Sequence, residues 1–524
     1  MTLRWTPVLP LVAVIATLAL PVAPGGEGGA TPADAVSGLV VVWCALRLVR
    51  LRRRPLSPAA AVVLGLPVVG FAVAAVGAAS PGAGLTGLVR YLQIFVLVPG
   101  AVVLLVRDRR DFRLLAWSFV GLALWQGAIG VHQYATGTGA SYMGEEIRAV
   151  GTFGAADVMG MATVVAFGLV CAVGLALGSG AARQRTVAVV CSLVLLLPLA
   201  LSFSRGAWIA TAVAVVAQLA LAGMRRAVRV LAVVAAACVV LVGGFGIGTA
   251  MLQERISSIT QVTDAPDQSV TDRYTMWAAA VGMWRQHPVA GVGLKGFPEH
   301  RDGHASLALS SGSDTEGAGA AFRKQPLLSP HNMYLLVLSE QGLAGLLALG
   351  GSWLALLLCG VRGLVRVRRS DAAAPGPEPE SAPGGAGRAD GAFGGLGGLR
   401  GLRGLERGAV GIPGFSRGSD AAAARPGSGG LDVAAANGPG SGGARGLDCA
   451  LVACGLLIWQ LVDFVYGDIG GPSTALTAVC FGLVAWWALA DPASAAPVGA
   501  ADGPGEEAAR SGAAVDCSGE AAAR

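Results

Sequence analysis

Charge is what this sequence has least of. Asp, Glu, Lys and Arg together make up 13% of its 524 residues, about half the ~25% found in soluble domains. With 54% hydrophobic residues and a mean hydropathy of +0.63, this excludes an ordinary soluble globule and points to a polytopic membrane protein. Lysine is nearly missing: of 38 basic residues only Lys295 and Lys324 are lysines. An arginine here therefore reflects compositional bias as well as chemistry, and one alone says little about bidentate recognition. The nine cysteines lie mostly in apolar runs without paired spacing. Cys449 and Cys454 do not form CxxC, so neither a disulfide framework nor a metal site is expected. There is no Asp-x-Asp; Asp314-Thr315-Glu316, in a Gly/Ser-rich stretch, comes nearest.

What the chain does have is long apolar runs. A membrane span needs about 20 apolar residues. On that rule spans fall near Leu9–Ala23, Val36–Val49, Ala59–Ala78, Leu88–Val106, Phe112–Val131 and Asp157–Leu177. Six more follow near Val187–Leu201, Ala207–Leu221, Val228–Ile247, Met333–Val361, Leu447–Tyr466 and Ser473–Leu489. The expected fold is all-α, with about twelve transmembrane helices and a large extracytoplasmic loop between spans nine and ten. Spans one to nine occupy residues 1–247, the loop with its amphipathic helix 248–330, and span ten 331–363. A Gly/Ala/Pro-rich segment follows at 364–446, then spans eleven and twelve at 447–490 and a tail at 491–524. The segment and the tail cannot bury a core and read as disordered.

Arginines in short connections set orientation. They cluster at Arg47–Arg54, at Arg107–Arg113, at Arg183 and Arg185, at Arg225–Arg229 and at Arg362–Arg369. These are every second connection, which places all of them on the cytoplasmic side together with both termini. Retention of the first span is expected. The alternative, a cleaved signal peptide, has Arg4 and an Ala33-Asp34-Ala35 site in its favour.

The polar residues that remain gather on the opposite face. Ser204-Arg205-Gly206 sits in a tight turn between spans seven and eight, where an arginine near hydrocarbon costs at least ~2.5 kcal/mol unless paired or wetted. Lone arginines at span ends commonly snorkel to lipid phosphate; the flanking hydroxyls argue for more than that. Within the loop, Thr271 to Gln286 reads as an amphipathic helix with Arg273, Trp277 and Trp284 on one face, suited to the bilayer surface. Gly291-Val292-Gly293-Leu294-Lys295-Gly296-Phe297 forms a glycine turn with no preceding strand, unlike a dinucleotide-binding motif. Arg148 precedes span six. His331 lies at the loop-to-span boundary, where a neutral imidazole can take a proton near physiological pH. Glu340, inside span ten, would pair with an arginine of the bundle or hydrogen-bond a neighbouring helix, and Asp463 has the same two readings. His132, His287, His300 and His304 read as solvated.

In order, Arg148-x-x-Gly-Thr-Phe, Ser204-Arg205-Gly206, Arg273-x-x-x-Trp277, His287-Pro-x-x-Gly-x-Gly-x-x-x-Phe297 and His331-Asn332-x-Tyr334, running on to Glu340, Gly342 and Gly345, resemble the O-antigen ligase/polymerase superfamily. These are polytopic glycan transferases of the bacterial cell envelope. The resemblance covers Arg148 to Val361. Gly154-Ala155-Ala156-Asp157 departs from it, standing where Asn-Pro-Asn is common. The resemblance implies transfer of a polyprenyl-diphosphate-linked glycan to an acceptor hydroxyl, outside the cytoplasmic membrane of a bacterium. It implies that Arg205 and Arg273, with Arg148, hold the diphosphate and that His331 acts at the acceptor. Ser204, Asn332, Glu340 and Trp277 would support them.

Arginine makes two parallel bonds to phosphate. Two arginines can also take the role often filled by a divalent metal, so a metal-independent, inverting transfer without cofactor is expected. The partners implied are the lipid-linked donor, a glycan, lipid or protein acceptor, and membrane lipids; no nucleic acid is implied. A repeat polymerase of the same superfamily remains open. A transporter or flippase is the rival class, but it would bring internal repeats and midplane sites. A receptor-like protein gives no reason for the ordered Arg/His set.

Overall fold

The computed structural model describes residues 7–22, 31–51, 56–142, 148–178, 180–223, 228, 268–373 and 446–489. Eight of its helices are long and apolar enough to cross a membrane. They are α2 (Pro32–Leu51), α3 (Pro58–Val76), a 25-residue run from Pro81 to Leu105, α6 (Arg109–Thr136), α7 (Gly160–Leu177), α8 (Ala182–Leu201), α9 (Arg205–Ala222) and the helix beginning at Met333. The 25-residue run consists of α4 (Pro81–Leu92), a π-helical turn at Gln93–Leu97 and α5 (Val98–Leu105). Three apolar helices are shorter: α1 (Leu9–Thr17) and, at the C-terminal end, Leu447–Asp463 and Thr474–Leu489. Each overlaps an expected span, although the first helix is only nine residues long, the run from Pro81 begins seven residues earlier, and the helix from Met333 runs on to Ala373. The expected ninth span, residues 374–445 of the segment expected at 364–446, and the tail from residue 490 lie outside the described residues; residues 364–373 of that segment continue the helix from Met333, which corrects the expectation of disorder there.

Local sequence explains where several helices start. Ser57 and Ser80 accept a hydrogen bond from the backbone N–H three residues on (Ala60 and Ala83), and proline follows each serine. This combines a capping hydroxyl with a residue whose missing N–H is not needed in the first turn. Asp108 caps α6 in the same way, accepting from Arg110 and Asp111.

Burial separates the centre from the rim. The apolar window of α7 is 83% buried and that of α8 only 22%. Yet α8 exposes Val189, Val190, Leu193, Leu196 and Leu197. A helix that is apolar on its outward side needs an apolar solvent, and here that solvent is lipid. The last two helices are buried almost throughout, from Cys449 to Leu457 and from Thr474 to Trp487, and form the centre together with α7.

Two sets of contacts define the ends of the bundle. At one end Asp448, fully buried, pairs with Arg109 at 2.7 Å and with Arg113. There too Arg368 donates to the Leu221 carbonyl (3.2 Å) and the Ser57 hydroxyl to the Leu489 carbonyl (3.2 Å). This is the arginine-rich end. At the other end Ala149 N–H donates to the Leu201 carbonyl (3.2 Å), and the Ser473 hydroxyl to Asp157 (3.3 Å).

The 268–333 segment stands at this second end and holds more than one helix. α10 (Gln268–Gln286) is followed by the glycine turn, α11 (Phe297–Arg301), and strands β2 (Ser313–Gly317) and β3 (Ala320–Gln325). These pair antiparallel in the order β1-β2-β3 with β1 (Ala140–Tyr142) from the α6–α7 connection. The mostly helical structure agrees with the expected all-α class; this small sheet corrects only the placement of Asp314-Thr315-Glu316, which lies in strand β2 rather than in an open loop. The amphipathic helix is also corrected. α10 buries Asp272, Met276, Ala279, Ala280 and Met283, and Trp277 of its Arg/Trp face bonds within the protein.

α12 runs from Met333 to Ala373 but is broken at Gly342, with φ +64°. The rings of Tyr334 and Trp353 lie 5.9 Å apart; a straight helix rising ~1.5 Å per residue would hold those residues about 28 Å apart. The chain therefore folds sharply, and Met333–Gln341 is a short first limb separate from the membrane-length second limb. α13 (Leu447–Asp463) and α14 (Thr474–Leu489) complete the bundle.

Candidate active site at the motif end of the bundle

His331 sits in a left-handed backbone conformation, φ +47°, uncommon outside glycine and costing on the order of 1–3 kcal/mol. The surroundings hold it there. Asn332 caps the first limb of α12, accepting from Leu335 N–H at 3.0 Å. Met333 N–H donates to the carbonyls of Phe464 (2.8 Å) and Gly467 (3.0 Å). Tyr334 donates from its hydroxyl to the Leu461 carbonyl (2.7 Å). Trp277 of α10 donates its indole N–H to the Pro330 carbonyl at 2.9 Å.

The imidazole faces an acid. His331 Nδ1 lies 3.9 Å from Asp468 Oδ2, a charge contact longer than a hydrogen bond. Asp468 is fixed on both oxygens: Oδ1 accepts from Gly470 N–H at 2.9 Å and Oδ2 from the Ser329 hydroxyl. The side chain of Asp468 is 7% exposed and that of His331 43%, so the acid is sealed below while one edge of the ring is open. The ring still loses much of its water to the recess. That desolvation holds the imidazole's pKa below its usual value; Asp468 pulls it up and Arg273 pushes it down again. Arg273 is thus within electrostatic reach of His331, and also of Asp463 at the end of α13.

Arg205 is the first residue of α9, after Phe203 in a left-handed turn (φ +50°) and Ser204 as the cap. The Ser204 hydroxyl accepts from Ala207 N–H at 3.3 Å. Gly206 packs on Tyr466, whose Cβ would lie 3.4 Å from a Cβ added there. The start of α9 therefore lies against the loop that carries Asp468. Arg148 and Ala140 exchange two backbone hydrogen bonds (2.8 and 3.1 Å), and the next residue bonds Leu201. This brings the Arg148 backbone to the turn before Arg205.

Glu340 goes elsewhere. Instead of an arginine of the bundle, its carboxylate meets the glycine turn, accepting from Phe297 N–H at 3.4 Å, and Lys295 adds a favourable charge. In an unbroken helix Leu343 and Ala344 would donate to Ser339 and Glu340. Here Leu343 N–H donates to Pro288 (2.9 Å) and Ala344 N–H to Val289 (3.1 Å). The freed carbonyls of Ser339 and Glu340 accept from Val292 (2.9 Å) and Gly293 (3.0 Å). Two of the sequence motifs are thus two halves of one interlock.

Of the other histidines, His132 and His287 are exposed as expected, although His132 lies on α6 rather than in a loop. His300 and His304 are corrected: both are half-buried, with Nδ1 at 2.9 Å from the carbonyls of Gly296 and His300. Sequence reasoning missed Asp468, Ser329 and Tyr466. The signal was an acid in the short Tyr466–Gly471 connection at the motif end.

Residues 187–350 match the family model of the O-antigen ligase. Over this stretch, under a third of the chain, the sequence is similar to the O-antigen ligase family, which supports the resemblance read from the motifs. The matched residues include Arg205, Arg273, the glycine turn, His331, Glu340 and Gly342. Arg148 and Asp468 stand outside them. No curated protein matches the chain. The family match and the lipid-facing helices support a multi-pass membrane protein with a ligase/polymerase-like glycan function.

Proposed function

We propose that the chain moves a glycan from a polyprenyl-diphosphate carrier to an acceptor hydroxyl on the outer face of a bacterial cytoplasmic membrane. The observation that carries this reading is the His331–Asp468 pair with Arg273 beside it. Nδ1 faces the fixed carboxylate, which leaves Nε2 as the ring nitrogen for the acceptor proton. A depressed pKa keeps the ring neutral, as a general base must be.

In the reaction the acceptor O–H gives its proton to His331 Nε2 while its oxygen attacks the anomeric carbon. The bond from that carbon to the phosphate oxygen breaks, and its electron pair leaves with the polyprenyl diphosphate. Displacement in one step inverts the anomeric centre. Arg205 and Arg273, with Arg148, meet the charge on the departing diphosphate through paired, charge-assisted hydrogen bonds. The α9 N-terminus adds its positive dipole end next to Arg205. Asp468 stabilises the imidazolium once the proton has moved. In this reading the arginines supply the electrostatic role that metal-dependent transferases give to a divalent cation.

Deleting the gene and analysing envelope glycans tests this. Full-length chains retained on lipid carrier mark a ligase, and single repeats on carrier mark a polymerase. Donor trapped on the inner leaflet would mark a flippase and overturn the proposal.

A further inference from the structure

The interlock joins the two halves of the proposed chemistry. α10, which carries Arg273, ends at Gln286, two residues before the turn enters the break in α12. The first limb of α12, which follows directly on His331, ends at that same break. Four backbone hydrogen bonds of 2.9–3.1 Å cross the join. They give a new partner to each of the four groups, two N–H and two C=O, that two helical bonds would have joined.

The join is built from residues that tolerate no replacement. A Cβ at Gly342 (φ +64°) would lie 2.3 Å from the Val289 carbonyl oxygen. A Cβ at Gly291 (φ +69°) would lie 2.4 Å from the carbonyl carbon of Glu340. Both positions need a left-handed backbone and a bare Cα at once. Glu340 then ties the far side of the turn by accepting from Phe297. A carboxylate spent deep in the protein on a turn is costly unless the turn must be held in place. A second brace, from Trp277 to Pro330, acts one residue before His331.

We infer that this interlock is a positioning device that sets the spacing between Arg273 and His331, with Gly291, Gly342 and Glu340 as its positioning residues. The inference rests on the roles proposed above for Arg273 and His331. If the arginine holds the diphosphate and the histidine the acceptor, their separation fixes the approach of acceptor oxygen to anomeric carbon. A misplacement of ~1 Å between reacting groups costs on the order of 10²-fold in rate. The donor can still bind to a displaced Arg273. The loss therefore falls on kcat rather than on KM.

The test uses the full chain in lipid vesicles, with its own cysteines replaced and spin labels at Arg285→Cys on α10 and Leu347→Cys on the second limb. Both positions are exposed. Donor is the carrier-linked glycan extracted from cells lacking the gene. Gly342→Ala should broaden the label-to-label distance distribution and lower kcat about 10²-fold, with donor KM within about threefold. Gly350→Ala, on the same helix with open space around it, should change neither. Glu340→Ala should lower kcat at least tenfold, and Glu340→Gln, which keeps an acceptor oxygen for Phe297, should restore most of it. A native distance distribution with native kcat in Gly342→Ala overturns the inference. If that variant does not accumulate, the same readouts on Glu340→Ala decide. Normal transfer by His331→Ala would remove the proposed chemistry, while the label distances would still judge the interlock.

Discussion

Trp277 and Pro330 are joined by one hydrogen bond, indole N–H to carbonyl, at 2.9 Å. Through it the helix that carries Arg273 touches the residue before His331. The pair is also the reason the Arg/Trp face of α10 turns into the protein. Trp277 is amphipathic, with a large apolar body and a single donor. Here the donor has found a carbonyl in the protein rather than the bilayer interface.

His331→Ala should abolish transfer while the protein still inserts and binds the lipid-linked donor. A positioned general base contributes ~10²–10⁴-fold, so the loss is deep even where binding survives. Transfer and donor binding measured side by side on purified protein in lipid check this. Near-normal transfer would take His331 out of the base role.

With His331 as the proposed neutral base, the acid limb of the pH–rate profile should lie below the ordinary histidine range, since desolvation depresses the pKa of the ring. The two charged neighbours move it in opposite directions. Asp468 favours the protonated ring, so Asp468→Asn should shift the limb to lower pH. Arg273 disfavours it, so Arg273→Gln should shift the limb to higher pH. Profiles of kcat/KM, which report the free enzyme, provide the measurement; equal shifts of one sign would contradict the assignment.

Arg205→Lys and Arg273→Lys keep the charge and lose the paired geometry toward phosphate oxygens. Donor use should fall in both, by roughly tenfold or more if a charge-assisted bond worth ~1.5–3 kcal/mol is lost. Donor titrations at fixed acceptor would show it. Unchanged kinetics in both variants would leave these arginines as snorkelling residues only.

Sidedness can be read chemically. An impermeant thiol reagent added to intact cells should label Ser310→Cys and spare Val410→Cys, each in a background without native cysteines. The reverse pattern would turn the chain over in the membrane.

The parts of this site that were readable in the sequence are those whose signal is local. Ser204-Arg205-Gly206 announces a cap, a charge and a tight turn in three letters, and His331-Asn332 announces a helix start. Apolar run length located the eight described helices that are long and apolar enough to cross a membrane. Asp468 was not readable, because its meaning lies in contacts with Ser329 and His331 across more than a hundred residues. Nor was the sheet: β1 and β2 are short, lack β-branched alternation, and sit in separate connections. Gly342 reads in the sequence only as one glycine of the motif that runs on from His331. Only its left-handed backbone and the turn seated against it reveal a break.

The order of synthesis gives the central burial of α13 and α14 a consequence of its own. These helices fill the middle of the bundle, and the loop between them delivers Asp468. They also leave the ribosome after every other described helix, and after the whole of the 374–445 segment. At ~5–20 residues per second, that segment alone delays them by about 4–14 s. For that interval His331 is made and its acid partner Asp468 is not yet translated. On the proposed mechanism, a chain broken off in that interval would carry Arg205, Arg273 and His331 without the acid that faces the imidazole, so the C-terminal pair would make completion of the polypeptide a condition for the chemistry.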